Sequence, residues 1–425
     1  MTKKSVHIVG AGLAGLSAAV ALLGCGRHIF LYESAPQAGG RCRSFYDHSL
    51  GRHLDNGNHL MMSANRAALG YLDRIGARDT VIEAAEAAYP FVDLDSAEHW
   101  VLRPNRGPLP WWVLVPSRRV PGSRLADYGS ALRLLRAPPD ATVADCVPPA
   151  HPLYRRFWEP LTLAALNCGP REAAAAPLRA VLLETFARGA DFCRPLVARD
   201  GLGNSLVTPA LDLLAQKGIR PFFGQRLREL RLGGQRVTGL NFGTHIETVA
   251  ADDAVVLALP PAVAAGLLPD LTLPEDGHVI VNGHFRLDRP PPPLPLGLPF
   301  LGVIGGDAHW IFLRDDVISV TVSGAGILAE RPAEDIAERL WHDVTRALDL
   351  EGVSLPPHRI IKEKRATFIQ TPANQRRRPP AVTRWSNLLL AGDWTATGLP
   401  CTIEGAIRSG NAAAAAALGE NARAA

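Results

Sequence analysis

Apolar residues along this chain fall into short runs separated by glycine, proline and charged clusters. The first run, Ser5 to Val9, is continuous, as expected of a strand covered on both faces. Gly10-Ala11-Gly12-Leu13-Ala14-Gly15 follows. Apolar residues then recur at helical spacing from Leu13 to Leu23, and Gly24 and Gly26 close the helix. His28 to Tyr32 is a second apolar run that stops at Glu33. Strand, glycine-rich turn, helix and strand make one βαβ unit.

Further along, residues 64–76 predict an amphipathic helix stopped by Gly76. Residues 90–123, rich in Pro, Trp and Arg, predict loops or short strands, and 124–190 predict helices, many of them Ala-rich. Gly201 to Gly218 reads as a loop and a helix. Alternating runs at 226–232, 236–242 and 246–250 predict a β-meander. Ala254 to Leu259 is an apolar strand closed by Pro260-Pro261. A strand-rich block spans 279–323, broken by the stiff connection Pro290 to Pro293. Asp335 to Leu348 predicts a helix, Asn387 to Ala391 a strand, and Thr402 to Leu418 a last helix. No repeat recurs at solenoid or propeller periods.

Dinucleotide-type strands thus lie at both chain ends and near the middle. The expected fold is α/β, a Rossmann-like domain interleaved with a mixed α+β domain built from insertions. Residues 1–75, 190–270 and 366–425 form the discontinuous cofactor domain in this reading. Residues 76–189 and 271–365 form the substrate-binding domain.

Composition narrows the function classes. The 425 residues suggest two or three domains, and 47% hydrophobic with 20% charged residues is globular. A net charge of +4 gives no reason to expect a nucleic-acid partner. Six cysteines without any C-x-x-C spacing predict free thiols in a reducing compartment, with no metal site. Lys3-Lys4 precedes 21 uncharged residues, Val6 to Gly26, which mimics a signal peptide or membrane span. The five glycines in that stretch, with His7 and Ser17, fit a strand and helix better.

Gly10, Gly12 and Gly15 match G-x-G-x-x-G, and each has a separate task. The first permits the tight turn, the second lets backbone approach a pyrophosphate, and the third lets helix and strand pack closely. The helix N-terminus at Leu13 and Ala14 then presents free N–H groups to phosphate. Glu33, followed by Ser34, stands 18 residues after Gly15. A carboxylate there accepts from a ribose diol and repels a 2′-phosphate, favouring FAD or NAD over NADP. Gly201-Leu202-Gly203-Asn204-Ser205-Leu206 lacks a third Gly, so a second nucleotide domain is not expected.

Two further motifs decide between FAD and NAD. Gly39-Gly40-Arg41-Cys42-Arg43-Ser44 follows Glu33, and Leu390-Ala391-Gly392-Asp393-Trp394-Thr395 precedes Thr402-Ile403-Glu404-Gly405-Ala406. This arrangement resembles the amine-oxidase and carotenoid-desaturase superfamily of FAD proteins, whose cofactor domain is of the glutathione-reductase type. The resemblance implies non-covalent FAD. It places Gly40 and Arg41 by the pyrophosphate, and Gly392 and Asp393 at the ribityl chain or phosphates. Thr402 and Ile403 would face the flavin pyrimidine. Asn58, His59 and Leu60 would lie against the isoalloxazine, and the Leu227 backbone, in the 226–232 strand, against adenine.

Longer stretches are similar to one branch of that superfamily. They are Asp55 to Leu60, Phe157-Trp158-Glu159-Pro160-Leu161, Lys364-Arg365-Ala366-Thr367-Phe368, and Gly392 to Ala406. They resemble the squalene-associated FAD proteins, the hydroxysqualene dehydroxylases of bacterial hopanoid pathways. Cys401 and Asn58 depart from that pattern, where Ala and Gln are expected. The branch implies that hydroxysqualene loses its allylic hydroxyl and gains hydride from reduced flavin N5, giving squalene. Hydroxide leaves poorly, so a general acid must protonate it, and the allylic cation needs aromatic, weakly polar walls. His59, Glu404 and Asp55 are the candidates for the acid. Structural readings compete for each: a hydrogen-bonded imidazole, a helix N-terminal carboxylate and a turn residue. Alternatives to the branch are a desaturase running hydride transfer the other way, and a non-catalytic prenyl-lipid carrier.

A C30 isoprenoid substrate resides in bilayers. Residues 100–124 hold Pro110-Trp111-Trp112-Val113-Leu114-Val115-Pro116 followed by Arg118, Arg119 and Arg124. Such a segment suits either an interfacial patch or a cavity wall. The resulting expectation is a cytoplasmic protein, peripheral on the inner face of the membrane, with prenyl synthases of the same pathway as partners. Arg376-Arg377-Arg378 could add to such an interfacial patch, but a three-residue charge run more often reads as a solvated loop.

Overall fold

The computed structural model describes residues 4–350 and 352–419. Lys3 and residues 420–425 of the expected 366–425 piece lie outside the described residues. A four-stranded parallel sheet has the order Leu388–Leu390, Ala254–Leu257, Ser5–Val9, His28–Tyr32. Three of these strands are wholly or almost wholly buried apolar runs, as a sheet covered on both faces requires. Helix Leu13–Ala21 leaves the first strand through the glycine turn and packs against the last helix, Ile403–Ala417. The meander Glu229–Gly233, Arg236–Asn241, Ile246–Thr248 forms a separate three-stranded sheet. Leu227 lies just before its first strand, not inside it as the alternation suggested.

The second large element is a seven-stranded mixed sheet. Its order is His358–Phe368, Asp276–Arg286, Val317–Val322, Trp310–Arg314, Phe300–Ile304, Tyr89–Asp93, Glu98–Leu102. Helix Ala333–Ala347 packs on it through Ile336, Leu340 and Val344. The 90–123 segment supplies two genuine strands and then two short 3-10 turns. Helices Ser130–Leu135, Glu159–Leu166 and Ala175–Glu184 build an apolar layer with Trp112, Trp158 and Phe300.

Two expected domain boundaries fall inside sheets. The strand His358–Phe368 runs past residue 366, and Val81–Glu83 pairs with Pro195–Ala198 across the break placed at 75. The first was missed because the strand, an edge of the sheet, reads HRIIKEKRATF: its charges carry no apolar alternation, and such charges keep an edge from pairing further.

Candidate functional site

The glycine turn is built by close backbone approach. Gly10 has φ +108°, its N–H donates to Tyr32 O at 2.7 Å, and a Cβ there would lie 2.2 Å from Ala258 O. A Cβ on Gly15 would lie 1.8 Å from Gly10 O. Gly12 differs: a Cβ there meets nothing within 4 Å. The turn is therefore packed below Gly12 and open above it, which fits a pyrophosphate laid on the backbone. Helix Leu13–Ala21 starts with neither a capping side chain nor an acidic residue in its first turn. Its leading N–H groups stay free for an anion.

Glu33 closes one side. Its Oε2 accepts from Ala11 N–H at 2.8 Å, and Oε1 accepts from Ala35 N–H at 2.8 Å and from the Ser34 hydroxyl at 3.2 Å. Gly39 N–H donates to Ala11 O at 2.8 Å, which brings Gly40 against the Cα of Gly12. Arg41 then reaches across to the C-terminal piece, donating to Asp393 Oδ1 at 2.8 Å and to Ala366 O at 2.5 Å. Gly392 N–H donates to Ser409 Oγ at 2.9 Å. Thr402 caps the last helix, its hydroxyl accepting from Gly405 N–H at 3.1 Å, and Ile403 opens that helix. Among the described residues, neither backbone polar group of Leu227 finds a partner. The fold thus joins Gly10, Gly12, Gly40 and Glu33 to Arg41 and Asp393, residues more than 350 positions apart in sequence.

The three acid candidates separate clearly. Glu404 is buried, and its oxygens accept from Ala67 N–H at 3.1 Å, Ala68 N–H at 2.8 Å and Arg408 Nε at 2.8 Å. Ala67 and Ala68 open the helix Arg66–Arg74, so Glu404 caps a neighbouring helix, an arrangement that suits a structural carboxylate. Asp55 accepts from the Ser44 hydroxyl at 2.5 Å, Leu202 N–H at 2.9 Å and Arg314 at 2.6 Å. It borders a cavity of about 30 Å³ shared with Asn58, His284, Arg314 and Ser319, room for about one water. Its ion pair with Arg314 and its two further hydrogen bonds likewise suit a structural carboxylate. Burial pushes the His284 imidazole beside it down to about 4.

His59 alone is left without a side-chain hydrogen bond among the described residues. Burial lowers its pKa from the ordinary imidazole value; the Asp55 charge opposes that shift and Arg41 adds to it. Asn58 is tied to the second sheet, donating to Thr321 Oγ1 at 3.2 Å. Leu60 packs against the apolar layer that contains Tyr89, Trp112, Phe300 and Phe312, with Phe91, Phe157 and Trp310 at its margin. The segment 55–60 therefore runs from an ion pair to an apolar wall.

The chain matches the family of flavin-containing amine oxidoreductases over residues 13–418. It is 45% identical to a hydroxysqualene dehydroxylase of Sinorhizobium fredii over 98% of this chain and 99% of that one. A hydroxysqualene dehydroxylase of Zymomonas mobilis is 42% identical over 97% and 98%. The chain belongs to the hydroxysqualene dehydroxylase branch of the flavin amine oxidoreductases. The fold agrees: cyclohexylamine oxidase from Brevibacterium oxydans superposes with TM-score 0.69 at 15% identity, covering 98% of this chain and 99% of that one. As a member of this family the chain is an FAD-dependent oxidoreductase. When bound, FAD supplies hydride-transfer chemistry.

Two features were not foreseen. Arg378, expected in a solvated loop, is buried against the Asp393–Leu399 backbone; the arginine run itself carried no signal of that setting. Cys168, Glu172 and His278 bring three potential ligand atoms within 4.8 Å of one another. Burial pushes the Cys168 thiol up to about 12, with the Glu172 charge adding to that shift.

Proposed function

We propose that this chain removes the allylic hydroxyl of hydroxysqualene and replaces it with hydride, releasing squalene and water. The observation that carries this reading is 45% identity over 98% of the chain to a hydroxysqualene dehydroxylase, with no large segment unmatched. The aromatic margin of Phe91, Phe157 and Trp310 supports it, since such faces stabilise a delocalised cation. In this reading Gly10, Gly12, Leu13, Ala14, Gly15, Gly40 and Arg41 hold the diphosphate of FAD. Glu33 and Ser34 hold the adenosine ribose, and Leu227 faces adenine. Gly392, Asp393, Thr402 and Ile403 hold the ribityl chain and pyrimidine end. Asn58, His59 and Leu60 lie beside the ring.

The test is product analysis after anaerobic mixing of the reduced protein with hydroxysqualene. Squalene should form as the flavin is oxidised. A flavin that stays reduced, with no squalene, overturns the assignment; zeta-carotene desaturase from Synechococcus elongatus, 24% identical over 97% of this chain, is the relative that would then guide the reading.

His59 is the proposed proton donor, because Asp55 and Glu404 are already engaged. An acid works only while protonated, and burial holds this imidazole below its ordinary value of about 6.5. Activity should therefore be greatest below that value and fall as pH rises through the lowered pKa. His59→Gln should abolish this limb and reduce turnover by about 100-fold or more. An unchanged pH profile in the variant removes His59 from the mechanism.

The 100–124 segment divides between the two readings given it. Trp112 and Val113 are buried in the apolar layer, whereas Trp111 is 47% and Leu114 60% exposed. Arg118 lies 5.1 Å from the Trp111 ring centre. No described helix is long and apolar enough to cross a membrane. We propose that Leu109, Trp111 and Leu114 enter the headgroup layer of an anionic membrane on its inner face, with the arginines at lipid phosphates. Paired Trp111→Ser and Leu114→Ser changes should cut sedimentation with phosphatidylglycerol vesicles about tenfold, with FAD content intact. Equal sedimentation excludes this patch.

A further inference from the structure

Arg378 stands last in a run of three arginines whose other members are surface residues. Arg376 pairs with Asp140 and Arg377 with Glu275. Arg378 turns inward and is 9% exposed. Its Nε donates to Thr395 O at 2.9 Å. One terminal nitrogen donates to Leu399 O at 2.6 Å and Gln375 Oε1 at 2.9 Å. The other donates to Thr395 O at 2.5 Å, Asp393 O at 3.0 Å and Thr397 Oγ1 at 3.0 Å. The guanidinium lies over Phe368, 5.5 Å from the ring centre.

Each of these acceptors is uncharged. A buried cation without a paired anion is costly, so its retention calls for a compensating negative charge. Asp393, whose backbone carbonyl Arg378 meets, already engages Arg41 through its carboxylate at 2.8 Å. Among the described residues no carboxylate pairs with Arg378, so its positive charge is left over beside the loop. The loop leads from Asp393 to Thr402, the residues assigned above to the flavin.

We propose that Arg378 is a positioning residue of the flavin site: its fork fixes the Asp393–Leu399 backbone for FAD, and its unpaired charge favours the reduced, anionic flavin. The proposal rests on the reading of this loop as cofactor-facing. Lysine cannot replace the fork, because an ammonium cannot span acceptors on four residues of a folded-back loop.

The experiment compares Arg378→Lys, Arg378→Met and Thr397→Val with Asp393→Asn, reading the FAD dissociation constant and the midpoint potential of bound flavin. Arg378→Lys should bind FAD at least tenfold more weakly at a potential close to the parent's. Thr397→Val removes one acceptor and should shift affinity the same way by less. Arg378→Met should weaken FAD binding and lower the potential, an effect that loss of packing alone does not produce. Parent affinity in Arg378→Lys, or parent potential in Arg378→Met, overturns the proposal. Should Arg378→Met fail to fold, the lysine and Thr397 variants decide on affinity. Full FAD affinity in Asp393→Asn refutes the reading of the loop itself, whereas a response of Asp393→Asn alone refutes only the role of Arg378.

Discussion

Glu33→Arg should weaken FAD binding by about 100-fold, because two hydrogen bonds to a charged group contribute about 1.5 kcal/mol each and about 1.4 kcal/mol is tenfold. Glu33 directly follows the second strand of the parallel sheet, beside the turn that carries Gly10 and Gly12. Its carboxylate pins Ala11 N–H at 2.8 Å and Ala35 N–H at 2.8 Å, and the proposed role adds acceptance from the ribose diol. Arginine offers no acceptor to either amide or to the ribose. It suits a 2′-phosphate, which FAD lacks. Glu33→Gln keeps one acceptor oxygen and should lose less. Fluorescence titration of the deflavinated protein with FAD, alongside the flavin content of the purified variant, measures both. Parent-like occupancy in Glu33→Arg would remove this residue from the cofactor site.

Gly410→Ala is the second large effect, and its sign is the informative part. In an ordinary helix interior the exchange stabilises by about 1 kcal/mol. Gly410 lies in the last helix where it crosses Leu13–Ala21, and a Cβ there would lie 2.1 Å from Ser17 Oγ and 2.2 Å from Ala14 O. Ser17 is buried and already donates to Ala14 O at 3.0 Å, so it has little room to give. The expected outcome is a loss of about 1–3 kcal/mol from overpacking, read as a lower urea midpoint at unchanged slope. These two helices also present the N-termini at Gly12 and Thr402, so prising them apart should reduce flavin content in parallel. A rise in stability would contradict the close crossing.

The cofactor half of the molecule was the more legible. Ser5–Val9 and His28–Tyr32 came out with the expected limits, because each is a largely apolar run set off by glycine or by Glu33. The last helix was placed within a residue at each end, since Thr402 is a strong cap. The second sheet was harder to read. His358–Phe368 lies at an edge and is only partly buried until its last three residues, so charge, not alternation, dominates its pattern. Residues 90–123 mix proline with tryptophan, and their two strands declare themselves only by pairing with Phe300–Ile304 and with each other.

Residue type alone left the three acid candidates open. Glu404 at a helix start and Asp55 before a glycine turn both looked available, but their oxygens are taken by Ala67, Ala68 and Arg408 in one case and by Ser44, Leu202 and Arg314 in the other. None of these partners is near in sequence except Arg408 and Ser44. Arg378 was misread for the same reason in reverse: three consecutive arginines look wet, and only the return of the Asp393–Leu399 backbone makes one of them dry.

Read on its own, the chain already disclosed its βαβ unit, its affinity for an adenine dinucleotide and its branch of the flavin oxidoreductases. Those properties reside in neighbouring residues, where glycine spacing and hydrophobic period act over a few ångströms of backbone. Which carboxylates are spent, which imidazole is left free and which arginine is buried came from the fold alone. A side chain's protonation and its partners depend on groups hundreds of positions away, brought within about 3 Å by folding.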